Sequence, residues 1–316
     1  MSNLPESAVA VRSEAYNKMY AGFERGIRRA SEKLTLGGPC LAYNLDFLKQ
    51  FLNFVKTNDL RLDFISMHNY GTSPELLNNG EDFSVEHNVK KQKNYLATIR
   101  NAGFQHTPII VDEWGMASCG FYNRTQCPHF LARETEMMAA YFIKLIHAFI
   151  REDFKIERLM ICLSGQHEMT EDFSGFRNFF TLNFIAKPIY NAYRMASELG
   201  EDFLAAEYEN EHLAVLPTRK ENGQYAVLLT YAAEHFQDNL PAVEETLTLP
   251  DAEGKAFEIY CIDRLHTNPY RLYEKGITDL DVLREEGQLK AWKTLTYKKR
   301  ITLPLTANST YLIMEV

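Results

Sequence analysis

The stretch "PIIVDEWG", residues 108–115, decides how this chain folds. Pro108 opens it, Ile109, Ile110 and Val111 read as a buried strand, and Asp112, Glu113 and Trp114 end it. A carboxylate at the rim of an apolar core is costly unless it is paired or has chemical work to do. The flanks are helical in pattern. Residues 84–101 carry Val85, Val89, Leu96 and Ile99, and residues 131–150 form a long apolar-rich run. A short apolar run between two amphipathic helices is the unit of a parallel sheet.

The same alternation extends outward. A helix is expected over 13–32, with Tyr16, Tyr20, Phe23, Ile27 and Ala30 on one face. "LTLGGP" (34–39) reads as a strand ending in a glycine–proline turn, and 45–57 as a helix with Leu48, Phe51, Leu52 and Val55. "LDFISMHNY" (62–70) and "RLMICLS" (158–164) supply two more strands, and a helix over 188–199 stops at Leu199-Gly200. Nearly continuous apolar strands point to a sheet covered on both faces. Beyond residue 203 the pattern changes to short β-type runs, among them "HLAVLPT", "QYAVLLTYAA", "FEIYCID" and "STYLIMEV". These predict an antiparallel all-β domain, a sandwich, with a partly helical excursion over 263–297. The expectation is α/β plus all-β, with domains at 1–200 and 201–316.

Of the 316 residues, 46% are hydrophobic and 24% charged, an ordinary globular composition. The net charge of -8, without a basic block, argues against a nucleic-acid partner. No apolar run reaches membrane-spanning length, and "MSNLPESAVAV" lacks the basic start and apolar core of a signal peptide. Cys40, Cys119, Cys127, Cys162 and Cys261 form no CxxC pair, which favours reduced thiols and a cytoplasmic setting. A Cys119–Cys127 bridge is the less favoured alternative.

Chemistry in βα folds gathers where parallel strands end. Here the strand ends carry His68-Asn69-Tyr70, Asp112-Glu113-Trp114 and Gln166-His167-Glu168. Alternation places Ile109, Val111 and Glu113 on one face, with Ile110 and Asp112 on the other; Phe64, Ser66, His68 and Tyr70 share a face. Glu113 is then a candidate nucleophile or base, His68 and Tyr70 candidate donors, and Trp114 a platform for a sugar ring. The competing explanation is structural, since a single strand-end acid is usually a cap or an ion-pair partner. Three polar strand ends in succession favour a site. His68, His106, His129, His147 and His167 fit no HExxH spacing, so neither metal nor cofactor is expected. G-x-S-x-G, G-x-G-x-x-G and G-x-x-x-x-G-K motifs are absent.

In order along the chain, these stretches resemble glycoside hydrolase family 39, the β-xylosidase-like retaining enzymes. "LTLGGP", "LDFISMHNYG" and "PIIVDEWG" resemble the fifth, sixth and seventh strands of that family's barrel. "SGQHE", "FSGF" and "NFFTLNFIAKPIYNAYRMASELG" are similar to the eighth strand, its loop and the last helix, and "YCIDRLHTNPY" (260–270) to a stretch of the C-terminal β-domain. The resemblance implies the C-terminal half of a (β/α)8 TIM barrel, about four βα units, followed by a β-sandwich. It implies a glycoside substrate, Glu113 as nucleophile, and His68, Tyr70 and Glu168 as sugar ligands. The family shows an acidic pair where this chain reads Gln-His-Glu.

The departure lies in the acid/base glutamate, which the family carries in an Asn-Glu-Pro motif on its fourth strand. These 316 residues contain no Asn-Glu-Pro; the nearest likeness is Asn3-Leu4-Pro5, with Glu6 beside it. A half-barrel exposes unpaired strand edges. The implied partner is therefore a chain carrying the N-terminal half-barrel, or a second copy. Three expectations follow: the C-terminal part of a hydrolase that needs its other half, a non-catalytic carbohydrate- or partner-binding remnant, or a non-functional gene fragment.

Overall fold

The computed structural model describes residues 6–163, 167–236 and 239–316. Asn3-Leu4-Pro5, and Ser164 to Gln166 of the "SGQHE" stretch, lie outside the described residues. Helix α1 (Glu6–Ala30) buries a stripe of Val9, Ser13, Asn17, Tyr20 and Glu24. Tyr16 and Tyr20 meet Phe51 of α2 (Leu45–Thr57) edge-on, with centroids 5.5 and 5.0 Å apart. Phe23, expected on that face, is 59% exposed, because the stripe steps from Tyr20 to Glu24 instead. Asn44 starts α2 by accepting the Phe47 amide at 2.9 Å, which satisfies one orphan donor of the first turn.

Strands β1 (Gly37–Leu41), β2 (Phe64–Thr72), β3 (Ile109–Ala117) and β4 (Ile156–Ile161) form a parallel sheet in that order. The first strand begins at the glycines that were expected to end it. A Cβ on Gly37 would lie 2.3 Å from the Phe64 ring, so only glycine lets the two strands start side by side. The central strands β2 and β3 are largely buried. At the sheet edge, β4 is not: Met160 is 49% exposed, and only Ile156, Leu159 and Ile161 are partly covered. The expectation of two covered faces therefore fails at β4, although the other edge strand, β1, is mostly buried.

Between β2 and β3 come α3 (Pro74–Asn78) and α4 (Val85–Ala102). A buried amide network fixes β2 to α4. Asn69 donates to the Asn88 carbonyl at 3.0 Å and to Gln92 at 3.1 Å, and Asn88 donates back to Asn69. The long helix expected at 131–150 is divided. A 3-10 turn (Pro128–Glu134) precedes α5 (Glu136–Arg151), where the Thr135 hydroxyl accepts from the Met137 amide at 3.2 Å. Helix α6 (Pro188–Ala196) ends before Gly200. Gly200 serves close approach rather than helix termination, since a Cβ there would fall 1.9 Å from the Arg219 carbonyl oxygen.

The remaining strands are β5 (Asp202–Phe203), β6 (Leu213–Arg219), β7 (Tyr225–Tyr231), β8 (Val243–Leu247), β9 (Ala256–Ile262), β10 (Ala291–Thr296), β11 (Ile301–Leu305) and β12 (Ser309–Glu315). They form a six-stranded sheet ordered β10-β9-β12-β7-β6-β5 and a two-stranded β11-β8 ribbon, all antiparallel. Ile301, Leu303 and Leu305 of the ribbon share one core cluster with Val227, Leu229, Ile259 and Ile313 of the larger sheet. The excursion after residue 263 holds α7 (Pro269–Glu274) and α8 (Leu280–Glu286), and it returns as edge strand β10.

Two compact units interleave in sequence. The first comprises Met1–Ser73, Glu86–Ser118 and Phe149–Cys162, and the second Pro74–Val85, Cys119–Ala148 and Leu163–Val316. The loops that follow β2 and β3 thus belong with the β-rich part of the chain. Among the described residues no helix is long and apolar enough to cross a membrane. None of the five cysteines is joined in a disulfide.

Candidate active site

The ladder between β2 and β3 slips by one residue. Ser66 pairs with Ile110 and Met67 with Val111, but His68 pairs with Glu113, so Asp112 is the extra residue of a bulge. A one-residue slip moves side chains to the other face of a sheet. Strict alternation therefore misplaces Glu113. The bulge turns it to the face of Ser66, His68 and Tyr70, and Asp112 joins that face too, within 4.8 Å of His68 and Cys40. The expected separation of the two acids is overturned by this slip.

Glu113 is held from two sides. The Tyr70 hydroxyl donates to Oε2 through a short hydrogen bond, and His68 Nδ1 lies 3.2 Å from the same oxygen. The two rings stand edge to face with centroids 6.0 Å apart. Beyond them, Lys91 Nζ donates to the Tyr70 carbonyl and, at 2.9 Å, to that of Gly71, fixing the end of β2. The neighbouring cleft, about 400 Å³, is lined by Val9 and Arg12 of α1, Tyr43, Phe47, His68 and Tyr70. That volume lies within the range of small-ligand pockets.

Trp114 does not face this cleft. It pairs with Asn69 on the helix-covered side of the sheet and has no exposed surface, so it offers no platform to a sugar. Tyr43 and Phe47 supply the aromatic walls instead. Tyr43 accepts from Asn94 at 2.8 Å and packs edge-on against Tyr95 at 5.2 Å, so its ring is held. Glu168 is exposed in a turn of the second unit, after β4.

Sequence reading passed over Cys40, Tyr43, Lys91 and Asp112. Asp112 was placed at a polar strand end but given no role; Cys40 and Asp112 reach the site through strand register, Tyr43 from the loop between β1 and α2, and Lys91 from α4. Among the described residues two groups have metal-ligand composition: Cys40, His68 and Asp112, and Cys261, Asp263 and His266. In the second, Asp263 Oδ1 already accepts the Leu265 and His266 amides at 2.6 and 2.8 Å, so it shapes the turn after β9. The "YCIDRLHTNPY" stretch is that turn. Its Asn268 donates to Glu136 at 2.7 Å, and Arg271 pairs with the same carboxylate at 2.7 Å.

Comparison with solved structures shows the fold. A monomeric β-xylosidase from Caulobacter crescentus CB15 superposes with a TM-score of 0.77 at 18% identity, over 96% of this chain and 65% of that one. The GH39 enzyme of Xanthomonas axonopodis pv. citri gives 0.73 at 17%, over 96% and 64%. A glucosidase from Croceicoccus marinus gives 0.69 at 17%, over 96% and 65%. The chain thus spans just under two thirds of the length of these relatives. The family model for glycosyl hydrolases family 39 matches residues 3–276, most of the 316, and on that match the chain belongs to glycosyl hydrolases family 39.

Proposed function

We propose that this chain is the nucleophile-bearing part of a retaining glycoside hydrolase acting on terminal β-linked xylose-type sugars, with Glu113 attacking the anomeric carbon. The observation that carries this reading is the convergence of Tyr70 and His68 on Glu113 Oε2. The Tyr70 donor and the nearby His68 ring orient the carboxylate beside a cleft that both residues line, as double displacement requires. His68 and Tyr70 would also meet the sugar hydroxyls, and Glu168 would add a further contact from the turn after β4. We infer that the four parallel strands form half of an eight-stranded barrel, that residues 1–200 belong to it, and that 201–316 form a sandwich.

A retaining glycosidase needs a second carboxyl group about 5 Å from the first to protonate the leaving oxygen. Asp112 does not fit that task, because it adjoins the nucleophile on the same strand rather than standing across the glycosidic bond. The reading therefore assigns the acid to a segment outside these 316 residues. The absence of Asn-Glu-Pro from these residues favours a second reading, a non-catalytic carbohydrate-binding protein.

A fluoro-sugar probe separates the two. A 2-deoxy-2-fluoro-xylosyl fluoride carries a leaving group that needs no protonation, so the nucleophile alone suffices to react. Mass spectrometry should find one xylosyl adduct on the peptide containing Glu113, and none in Glu113→Ala. An adduct that survives in Glu113→Ala would remove Glu113 from the mechanism. Calorimetric binding of xylose without any adduct would establish the binding protein.

A further inference from the structure

We propose that Cys40, His68 and Asp112 form a three-ligand site for a thiophilic divalent cation such as Zn²⁺ or Cd²⁺. Backbone geometry makes the case first. Cys40 is itself the extra residue of a bulge: Pro39 pairs with Ser66 and Leu41 with Met67, leaving Cys40 between them at φ 55. Asp112 is the extra residue of the bulge in β3. The strand between the two bulges is β2, and His68 lies on it where the register shifts. Bulges re-aim side chains, and a left-handed φ on a non-glycine residue is strained backbone. Here two such departures direct a thiol and a carboxylate at one imidazole.

The distances fit a cation. Cys40 Sγ lies 3.5 Å from His68 Nε2. With Zn–S near 2.3 Å and Zn–N near 2.0–2.1 Å, two tetrahedral ligands stand about 3.5 Å apart. The third ligand atom, from Asp112, lies within 4.8 Å of both. Asp112 Oδ1 is buried with no hydrogen-bond partner, an orphaned acceptor beside the other two. His68 is oriented for ligation, since Glu113 at Nδ1 leaves Nε2 to face the thiol. A carboxylate behind a ligating histidine is the usual outer partner of zinc sites.

The charge balance agrees. Asp112 belongs to the cluster, and Glu113 lies 3.2 Å from His68 Nδ1. The same two carboxylates attract a cation, and coordination would release the thiol proton to solvent. Cys40 is exposed, so an ion has access. Sulfur, imidazole and carboxylate together select zinc-like ions over Mg²⁺ or Ca²⁺. None of this depends on whether Glu113 is a nucleophile, and an ion on Nε2 would compete with a sugar hydroxyl for His68.

Cadmium is the direct probe, because a Cd–thiolate bond absorbs in the ultraviolet. Titration of the 316-residue chain should raise one band that saturates at one ion per chain. Cys40→Ser should abolish it, and Glu113→Gln should weaken the affinity about 10- to 100-fold. Absence of the band, or its survival in Cys40→Ser, would overturn the site. A second measurement needs no variant: Zn²⁺ should protect Cys40, but not Cys119 or Cys162, from iodoacetamide, and Mg²⁺ should protect none. Equal alkylation of Cys40 with and without Zn²⁺ would also overturn it.

Discussion

Glu113 Oε2 accepts from a phenol and lies against an imidazole, and the two contacts differ in what they supply. The Tyr70 hydroxyl is a neutral donor to a charged acceptor, a bond worth about 1.5–3 kcal/mol. His68 is shared with Cys40, so it holds the carboxylate in place while its other nitrogen faces the thiol. Tyr70→Phe keeps the ring and its edge contact with His68 but removes the donor. The expected result is a fall of about 10- to 100-fold in the rate of fluoro-xylosyl adduct formation, following from that bond's worth. Circular dichroism should be unchanged. An unaltered labelling rate would show that Tyr70 does not orient the nucleophile. At this scale the residue types of the site were legible, because strand ends in βα folds are where polar groups collect. Which face each side chain takes was not legible. Glu113 and Asp112 share a face through a register slip against β2, and register is a property of two strands that neither strand's own sequence states. Trp114 reads as an exposed platform only if the strand is regular; in register with Asn69 it is core.

Among the elements, the joint between the 3-10 turn and α6 rests on a buried ion pair. Lys187 Nζ lies 2.7 Å from Glu134 Oε1 and donates to the Phe176 carbonyl at 2.9 Å, and both charged side chains are at most 1% exposed. Burial lowers the Lys187 pKa below the ordinary lysine value, while the Glu134 charge opposes that shift. The Gly175 amide adds a second bond to Glu134, at 2.7 Å. Removing one partner strands the other, so Lys187→Met should cost about 3–5 kcal/mol of stability. The double replacement Glu134→Leu with Lys187→Met should recover much of it. Urea unfolding measures both. A single variant as stable as the parent would mean that water reaches the pair. The helices around this joint show what local pattern conveys. Their apolar periodicity located α2, α4 and α6 to within a few residues, whereas the break at Thr135 follows from a hydroxyl taking the Met137 amide. Gly200, read as a helix stop, is required by the Arg219 backbone nearly twenty residues later.

Over the whole molecule, the order of strands and helices was readable because each is a local pattern, and ordered motifs pointed to the family that the match over residues 3–276 then showed. Position within the sheet was not readable. β4 resembles its neighbours in composition yet lies at an edge, half exposed. The interleaved units likewise arise from packing between distant segments. The chain spans 65% of the Caulobacter crescentus enzyme, and the 316 residues contain no Asn-Glu-Pro. If Glu113 acts here without a general acid, departure of the leaving group depends on its own basicity. A 2,4-dinitrophenyl β-xyloside leaves unaided and should turn over. An alkyl xyloside must be protonated as it leaves and should be slower by a further factor of about 10²–10⁴, the share that a positioned acid supplies. A steep fall in rate with leaving-group basicity is the expected signature, and a chain bearing the other half of the barrel should flatten it. A flat dependence for the 316 residues alone would show that they contain their own acid, and the assignment of that role to a segment outside them would fall.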